Sequence, residues 1–222
     1  MKSPLTSQGI PLDKEKIYQS LFDFMDDVLF QYISSTGIKA EDDITQELVN
    51  FLEIAARDCD SSFLFLNQYK DGSFKADMGV FIINSRKPFC LVEAKRLPTP
   101  NEKHRDEREY VIVSSEKKED GTRKFDGGGG IQRFKEGKYA NTLQYSIMLG
   151  YMQDSNKADY WQSKINTWIT ELFDTGDGFW TIDDCLSKYV SKKCNRFLSS
   201  HKRKDGTKIL LHHYWIKIIT LL

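Results

Sequence analysis

FCLVEAKRL, residues 89–97, is an apolar run that ends in a carboxylate and an amine two residues apart. Strand alternation sends Phe89, Leu91, Glu93, Lys95 and Leu97 to one face, and Cys90, Val92 and Ala94 to the other. The second set predicts a buried inner face. Glu93 and Lys95 then emerge side by side where a core strand reaches the surface. Sixteen positions before Glu93, FKADMGVFII (residues 74–83) predicts another apolar strand, with a single acid, Asp77, set in it.

Around these two strands the chain alternates helical and extended patterns. Ile17, Leu21, Phe24, Met25, Val28, Leu29, Tyr32 and Ile33 describe one face of a helix over residues 13–34, with Gly37 beyond its end. A second helix is expected from Asp43, where Gln46 three places on suggests a capping box. Its apolar stripe is Ile44, Leu48, Phe51, Leu52 and Ala55, with Glu47 at the stripe's edge. SFLFLNQY (residues 62–69) predicts a strand, and Asp71-Gly72 a hairpin turn into residues 74–83. The result is a three-strand meander with its acids near one end.

Residues 98–130 are polar, punctuated by proline and rich in glycine, which predicts an insertion leaving the core. Gly127 to Gly130 form a backbone able to pass close to a ligand, and a helix is expected from Gln132. LQYSIMLGY (143–151) predicts a buried strand, and Trp161, Ile165, Trp168, Ile169 and Leu172 a helix stripe. Residues 182–194 predict a further helix, and ILLHHYWIKIITLL (209–222) one or two strands. The organisation expected is one α/β domain over residues 1–222, with a polar insertion at about 98–130 and a helix-rich C-terminal extension at about 155–208.

Composition narrows the class. The chain has 222 residues, 40% hydrophobic and 29% charged, with a formal net charge of zero. No apolar run approaches the ~20 residues of a membrane helix, so no membrane partner is expected. Four dispersed cysteines suit reduced thiols in a cytoplasmic protein better than a disulfide framework. Neutrality does not favour nucleic acid, but charge is segregated: acids concentrate among Asp23, Asp26, Asp27, Glu41, Asp42 and Asp43. Lys192, Lys193, Arg196, Lys202, Arg203 and Lys204 face only Asp205 nearby. That basic stretch is either a set of phosphate contacts or a solvated helix end and turn.

Phosphodiester hydrolysis needs an activated water, offset charge on phosphorus and a stabilised leaving oxygen. One or two magnesium ions held by a few carboxylates and a carbonyl supply much of this. Asp77 and Glu93 could furnish the carboxylates and Ala94 the carbonyl. Lys95 could orient or deprotonate the water, or neutralise developing charge, and Glu47 could hold the water shell or a second ion. Each acid interrupts an apolar strand, where isolated charge is costly to bury. Gln132, and less directly Arg133 and Lys135, open the following helix, where a polar side chain could meet the metal water or a phosphate. Cys185, Cys194 and His201 match no compact zinc spacing, and adjacent His212 and His213 point to opposite faces of a strand. Residues 127–130 lack the Lys-Ser/Thr continuation of a phosphate loop, which disfavours a nucleotide-driven motor.

The order helix acid, strand Asp, strand Glu-x-Lys resembles the restriction-endonuclease-like superfamily, also written PD-(D/E)XK, over residues 42–151. Glu47, Asp77, Glu93 and Lys95 fall on its motif, and Ala76 stands where the family has proline. The resemblance implies a three-layer α/β fold, a mixed central sheet flanked by helices. It also implies Mg²⁺-dependent hydrolysis, with Mn²⁺ able to substitute, of DNA rather than RNA, leaving 5′-phosphate ends. Endonuclease action in restriction or host defence, as a homodimer or a subunit of a larger complex, is the expected setting. The alternative is a catalytically inactive module of the same fold that binds nucleic acid or a partner protein.

Overall fold

The computed structural model describes residues 13–32, 40–71, 74–100, 106–112, 114–117, 123–125, 129–138, 140–189 and 193–218. In chain order the elements are helices α1 (Lys14–Leu29) and α2 (Glu41–Asp58), then strands β1 (Phe63–Asn67), β2 (Lys70–Asp71), β3 (Phe74–Lys75), β4 (Met78–Ile82) and β5 (Cys90–Leu97). A small hairpin, β6 (Ser114–Lys117) and β7 (Arg123–Phe125), leads to the short helix α3 (Gly130–Lys135) and strand β8 (Tyr145–Met152). Helix α4 (Ala158–Asp174), a 3₁₀ turn (Ile182–Asp184) and strands β9 (Ser187–Lys188), β10 (Asn195–Lys202) and β11 (Lys208–Lys217) follow.

Seven strands form one open sheet in the order β1-β4-β5-β8-β11-β10-β9. It is mixed: β5 with β8 and β8 with β11 run parallel, and the remaining pairs are antiparallel. The alternation of 89–97 decides how its faces are covered. Cys90, Val92 and Ala94 join the core beneath α1 and α2, whereas Leu91 and Leu97 join the opposite core beneath α4. Helices therefore lie on both faces of a mixed sheet, an α/β architecture in three layers. Among the described residues no helix is long and apolar enough to cross a membrane.

Several local expectations change. Helix α2 starts at Glu41 with Ala40 as its unassisted cap, so no Asp43–Gln46 capping box forms and Asp43 lies inside the first turn. Residues 74–83 are not one strand: β3 ends at Lys75, Ala76 and Asp77 interrupt, and β4 begins at Met78. The insertion does not leave the core throughout, because Tyr110, Val111 and Ile112 are buried under the sheet. After α4 the chain is extended rather than helical. Asp184 closes a capping box with Thr181, which starts the 3₁₀ turn, and β9 and β10 join the main sheet. Edge strand β1, apolar and without a lysine or proline, has its outward Phe65 N–H covered by the Glu53 carboxylate of α2, which shields it from strand pairing with another chain.

Candidate active site

The site forms because β5 outruns its neighbour. β4 pairs only with Cys90, Leu91 and Val92, while on the other side β8 follows β5 to Leu97. From Glu93 onward one edge of β5 is uncovered, and alternate N–H groups, those of Ala94 and Arg96, point out of it. Two carboxylates satisfy them. Ala94 N donates to Asp77 Oδ2 at 2.7 Å, and Arg96 N to Glu41 Oε2 at 3.1 Å. The strand break at Ala76 and Asp77 is what frees Asp77 to do this, since one further step of the β4–β5 register sets it opposite Glu93. Glu41 arrives from the first turn of α2, whose backbone Thr45 secures by bonding the Glu41 carbonyl and the Tyr151 hydroxyl.

Lys95 lies at the centre. Its Nζ is 3.0 Å from Glu93 Oε1 and 3.0 Å from Glu41 Oε1, and donates to the Ala94 carbonyl at 2.6 Å. Burial lowers its pKa, but Glu93, Glu41 and Asp77 outweigh that and hold it well above the usual lysine value. Lys95 is therefore an ammonium, suited to orienting or neutralising and not to taking a proton. Asp77 goes the other way. Burial, then the neighbouring Glu93, push its carboxyl from 3.8 up to about 7 against the opposing pull of Lys95. The Asp77 carboxyl is short of positive charge.

Helix α3 closes the opposite side. Arg133 Nη1 donates to Glu93 Oε1 at 2.8 Å, while Gln132 turns back to Glu136 with its Oε1 buried and unpartnered by protein. The start of α3 offers nothing to an anion, because the N–H groups of Gly130, Ile131 and Gln132 donate to the carbonyls of Glu109, Tyr110 and Val111. Gly130 is needed for this packing and not for a ligand: a Cβ there would sit 2.6 Å from Tyr110 O and 2.5 Å from Met148 Cε.

Of the residues expected from the sequence, Asp77, Glu93, Ala94 and Lys95 come together, with Arg133 beside them. The helix carboxylate that meets Lys95 is Glu41. Glu47 lies six residues on, about 9 Å further along the helix axis and about 120° around it. Three of the expected phosphate contacts are structural instead. Lys135 is buried against Asp184, at 2.7 and 2.8 Å to its two oxygens. Arg196 is buried between Asp26, His212 and the Tyr189 ring, and Arg203 ties the carbonyls of Ala140 and Leu143. Lys193 pairs with Asp27 at 2.5 Å, Lys202 is exposed on β10, and Lys192 lies outside the described residues. The Cys185, Cys194 and His201 side chains are not gathered, since among the described residues no three His, Cys, Asp or Glu side chains are arranged to hold a metal.

A second polar cluster was not visible as spacing. Ser199 Oγ lies 2.6 Å from His201 Nε2, and His201 Nδ1 lies 2.7 Å from Asp184 Oδ1. The order hydroxyl, imidazole, carboxylate matches a hydrolytic triad in outline. It is not one here: all three groups are sealed in the core, and Ser199 Oγ is also 2.6 Å from His213 Nε2. The strand period of Ser199 and His201 was the one available signal. A cleft of about 560 Å³ between α1 and β1, lined by Ile17, Phe24, Phe63 and Ile82, is apolar and shares no residue with the carboxylate site.

No family model, curated protein or solved structure matches this chain.

Proposed function

We propose that the chain is a metal-dependent deoxyribonuclease of the restriction-endonuclease-like superfamily. The observation that carries this reading is the Asp77–Glu93–Lys95 cluster at the uncovered edge of β5, with the Asp77 carboxyl deficient in positive charge. The donors are all oxygens, from Asp77, Glu93 and the Ala94 carbonyl, which suits a hard divalent ion such as Mg²⁺, or Mn²⁺ in its place. When bound, such an ion activates water and offsets charge on the scissile phosphate. Lys95, fixed as an ammonium, orients that water or stabilises the developing negative charge. Glu41 holds Lys95 and the Arg96 backbone in place. DNA is favoured over RNA through the resemblance, and a restriction or defence role is analogy of fold alone.

One observation favours a second reading, an inactive module of this fold. Glu93 is already neutralised by Lys95 and Arg133, and no third acid, cysteine or histidine joins Asp77 and Glu93 in a metal cage among the described residues. Incubating plasmid and linear DNA with Mg²⁺, Mn²⁺ or chelator separates the two, run with wild type, Asp77→Ala and Lys95→Ala. The nuclease reading expects metal-dependent cleavage lost in both variants. Wild type that never cuts DNA, or variants that cut as well as wild type, would overturn it.

A further inference from the structure

We infer that Arg133 is a latch on this site: it holds Glu93 in the metal-free protein and exchanges it for a phosphate when a divalent cation binds. The inference rests on the metal-site reading above. It starts from one oxygen. Glu93 Oε1 receives Arg133 Nη1 at 2.8 Å and lies 3.0 Å from Lys95 Nζ. A carboxylate oxygen has two acceptor directions, so Oε1 is fully engaged.

A cation that draws on this oxygen must therefore share its charge with one of these partners or displace it. Lys95 is the harder to move. Its side chain is 8% exposed and tied to Glu93, Glu41 and the Ala94 carbonyl. Arg133 is the easier: its side chain is 32% exposed, and it stands on a six-residue helix. Charge points the same way. Three carboxylates, Glu41, Asp77 and Glu93, meet the cationic Lys95 and Arg133 at this point. With Arg133 withdrawn, Lys95 and one divalent ion balance the three acids. With Arg133 retained, the desolvated cluster would carry an excess positive charge. The released guanidinium then presents a planar fork of donors at the mouth of the site, the geometry that phosphate oxygens accept.

Titration calorimetry with Mn²⁺ alone, without DNA, tests this on wild type, Arg133→Gln, Arg133→Lys and Glu93→Gln. Removing the competitor should tighten Mn²⁺ binding about tenfold in Arg133→Gln, the effect of losing one charge-assisted contact. Arg133→Lys, which keeps the charge without the fork, should fall between it and wild type. The same Arg133→Gln protein should bind a short duplex more weakly in the presence of Ca²⁺. If wild type binds Mn²⁺ through Glu93 but Arg133→Gln binds it equally or less tightly, the latch is wrong and the metal site stands. If neither wild type nor Arg133→Gln binds Mn²⁺, the metal site fails and the latch falls with it.

Discussion

Two buried polar clusters lie on this sheet, made of similar residues and built to opposite ends. In the core under α4, a chain of hydrogen bonds runs from Trp215 Nε1 to Tyr110 OH, His213, Ser199, His201 and Asp184, and ends at Lys135. Every proton in it has one acceptor if His213 carries its proton on Nε2 and His201 on Nδ1, tautomers assigned from the bonding order. Both histidines stay neutral and the single acid faces the single ammonium. At the β5 edge, by contrast, three acids crowd around Lys95, and Asp77 is left with its carboxyl raised to about 7. A closed and balanced cluster organises a core. An open one with surplus carboxylate can still gain stability from a cation, and that is the mark of a site.

The comparison breaks first on activity. If the edge cluster is the reactive one, Lys95→Ala should reduce metal-dependent DNA cleavage at least a hundredfold, and Ser199→Ala should leave cleavage per folded molecule unchanged. Glu41→Gln should cost about tenfold to a hundredfold, as loss of a partner that orients a functional group does. Glu47→Gln should cost nothing. Equal losses for Glu41→Gln and Glu47→Gln, read from initial rates on plasmid DNA, would reject Glu41 as the orienting acid.

Stability should break the other way. Asp184→Ala leaves the Lys135 ammonium buried without its anion and interrupts the chain at His201, so a loss of about 3–5 kcal/mol is expected in urea unfolding. Burial opposes ionisation of Asp184, but hydrogen bonds from His201 and Lys135, with the charge of Lys135, prevail and hold its pKa at about 2. Its contribution is thus present above about pH 4 and lost as pH falls toward 2. The histidines impose a further slope. Burial holds His201, His212 and His213 below the usual 6.5, with Arg196 adding to the effect on His212, which falls to about 2. The unfolded chain binds protons there that the folded chain refuses, so stability should fall below pH 6.5, by up to about 1.4 kcal/mol per pH unit for each histidine. His212→Gln should remove one such increment from the slope of stability against pH.

How much of this the sequence disclosed follows from what each signal reports. Residues 89–97 were legible because strand alternation states both the buried face and the place where charge interrupts it, and the two cores divide along that alternation. Glu41 was missed in favour of Glu47 because stripe position reports which way a helix side chain turns. It does not report which end of the helix overhangs a strand edge, and Glu41 reaches Lys95 from the first turn. Arg196, Arg203 and Lys135 looked like a basic surface because composition cannot tell a solvated cation from a buried, partnered one. Their partners Asp26, Ala140 and Asp184 are distant in sequence. The break at Ala76 and Asp77 had no signal in hydrophobicity, since Ala76 is as buried as a strand residue would be.

The smallest expected effect sharpens the contrast most, because its sign differs from that of the core. A carboxyl whose folded pKa is raised binds protons that the unfolded chain has released, so it withdraws stability as pH rises from about 4 and has done so fully by about 7. Asp77→Asn keeps an acceptor for Ala94 N and removes that titration. In chelator at pH 8 the variant should therefore melt a few degrees above wild type, an advantage that shrinks toward pH 4. Between those limits Asp77 works against the three histidines, whose contributions fall with falling pH. Adding Mg²⁺ at pH 8 should raise the wild-type Tm and leave Asp77→Asn almost unmoved, since the cation stabilises a charge the variant lacks. An Asp77→Asn protein no more stable than wild type in chelator would mean that Asp77 is already satisfied by Lys95 and its backbone bond. The edge cluster would then be as closed as the one in the core.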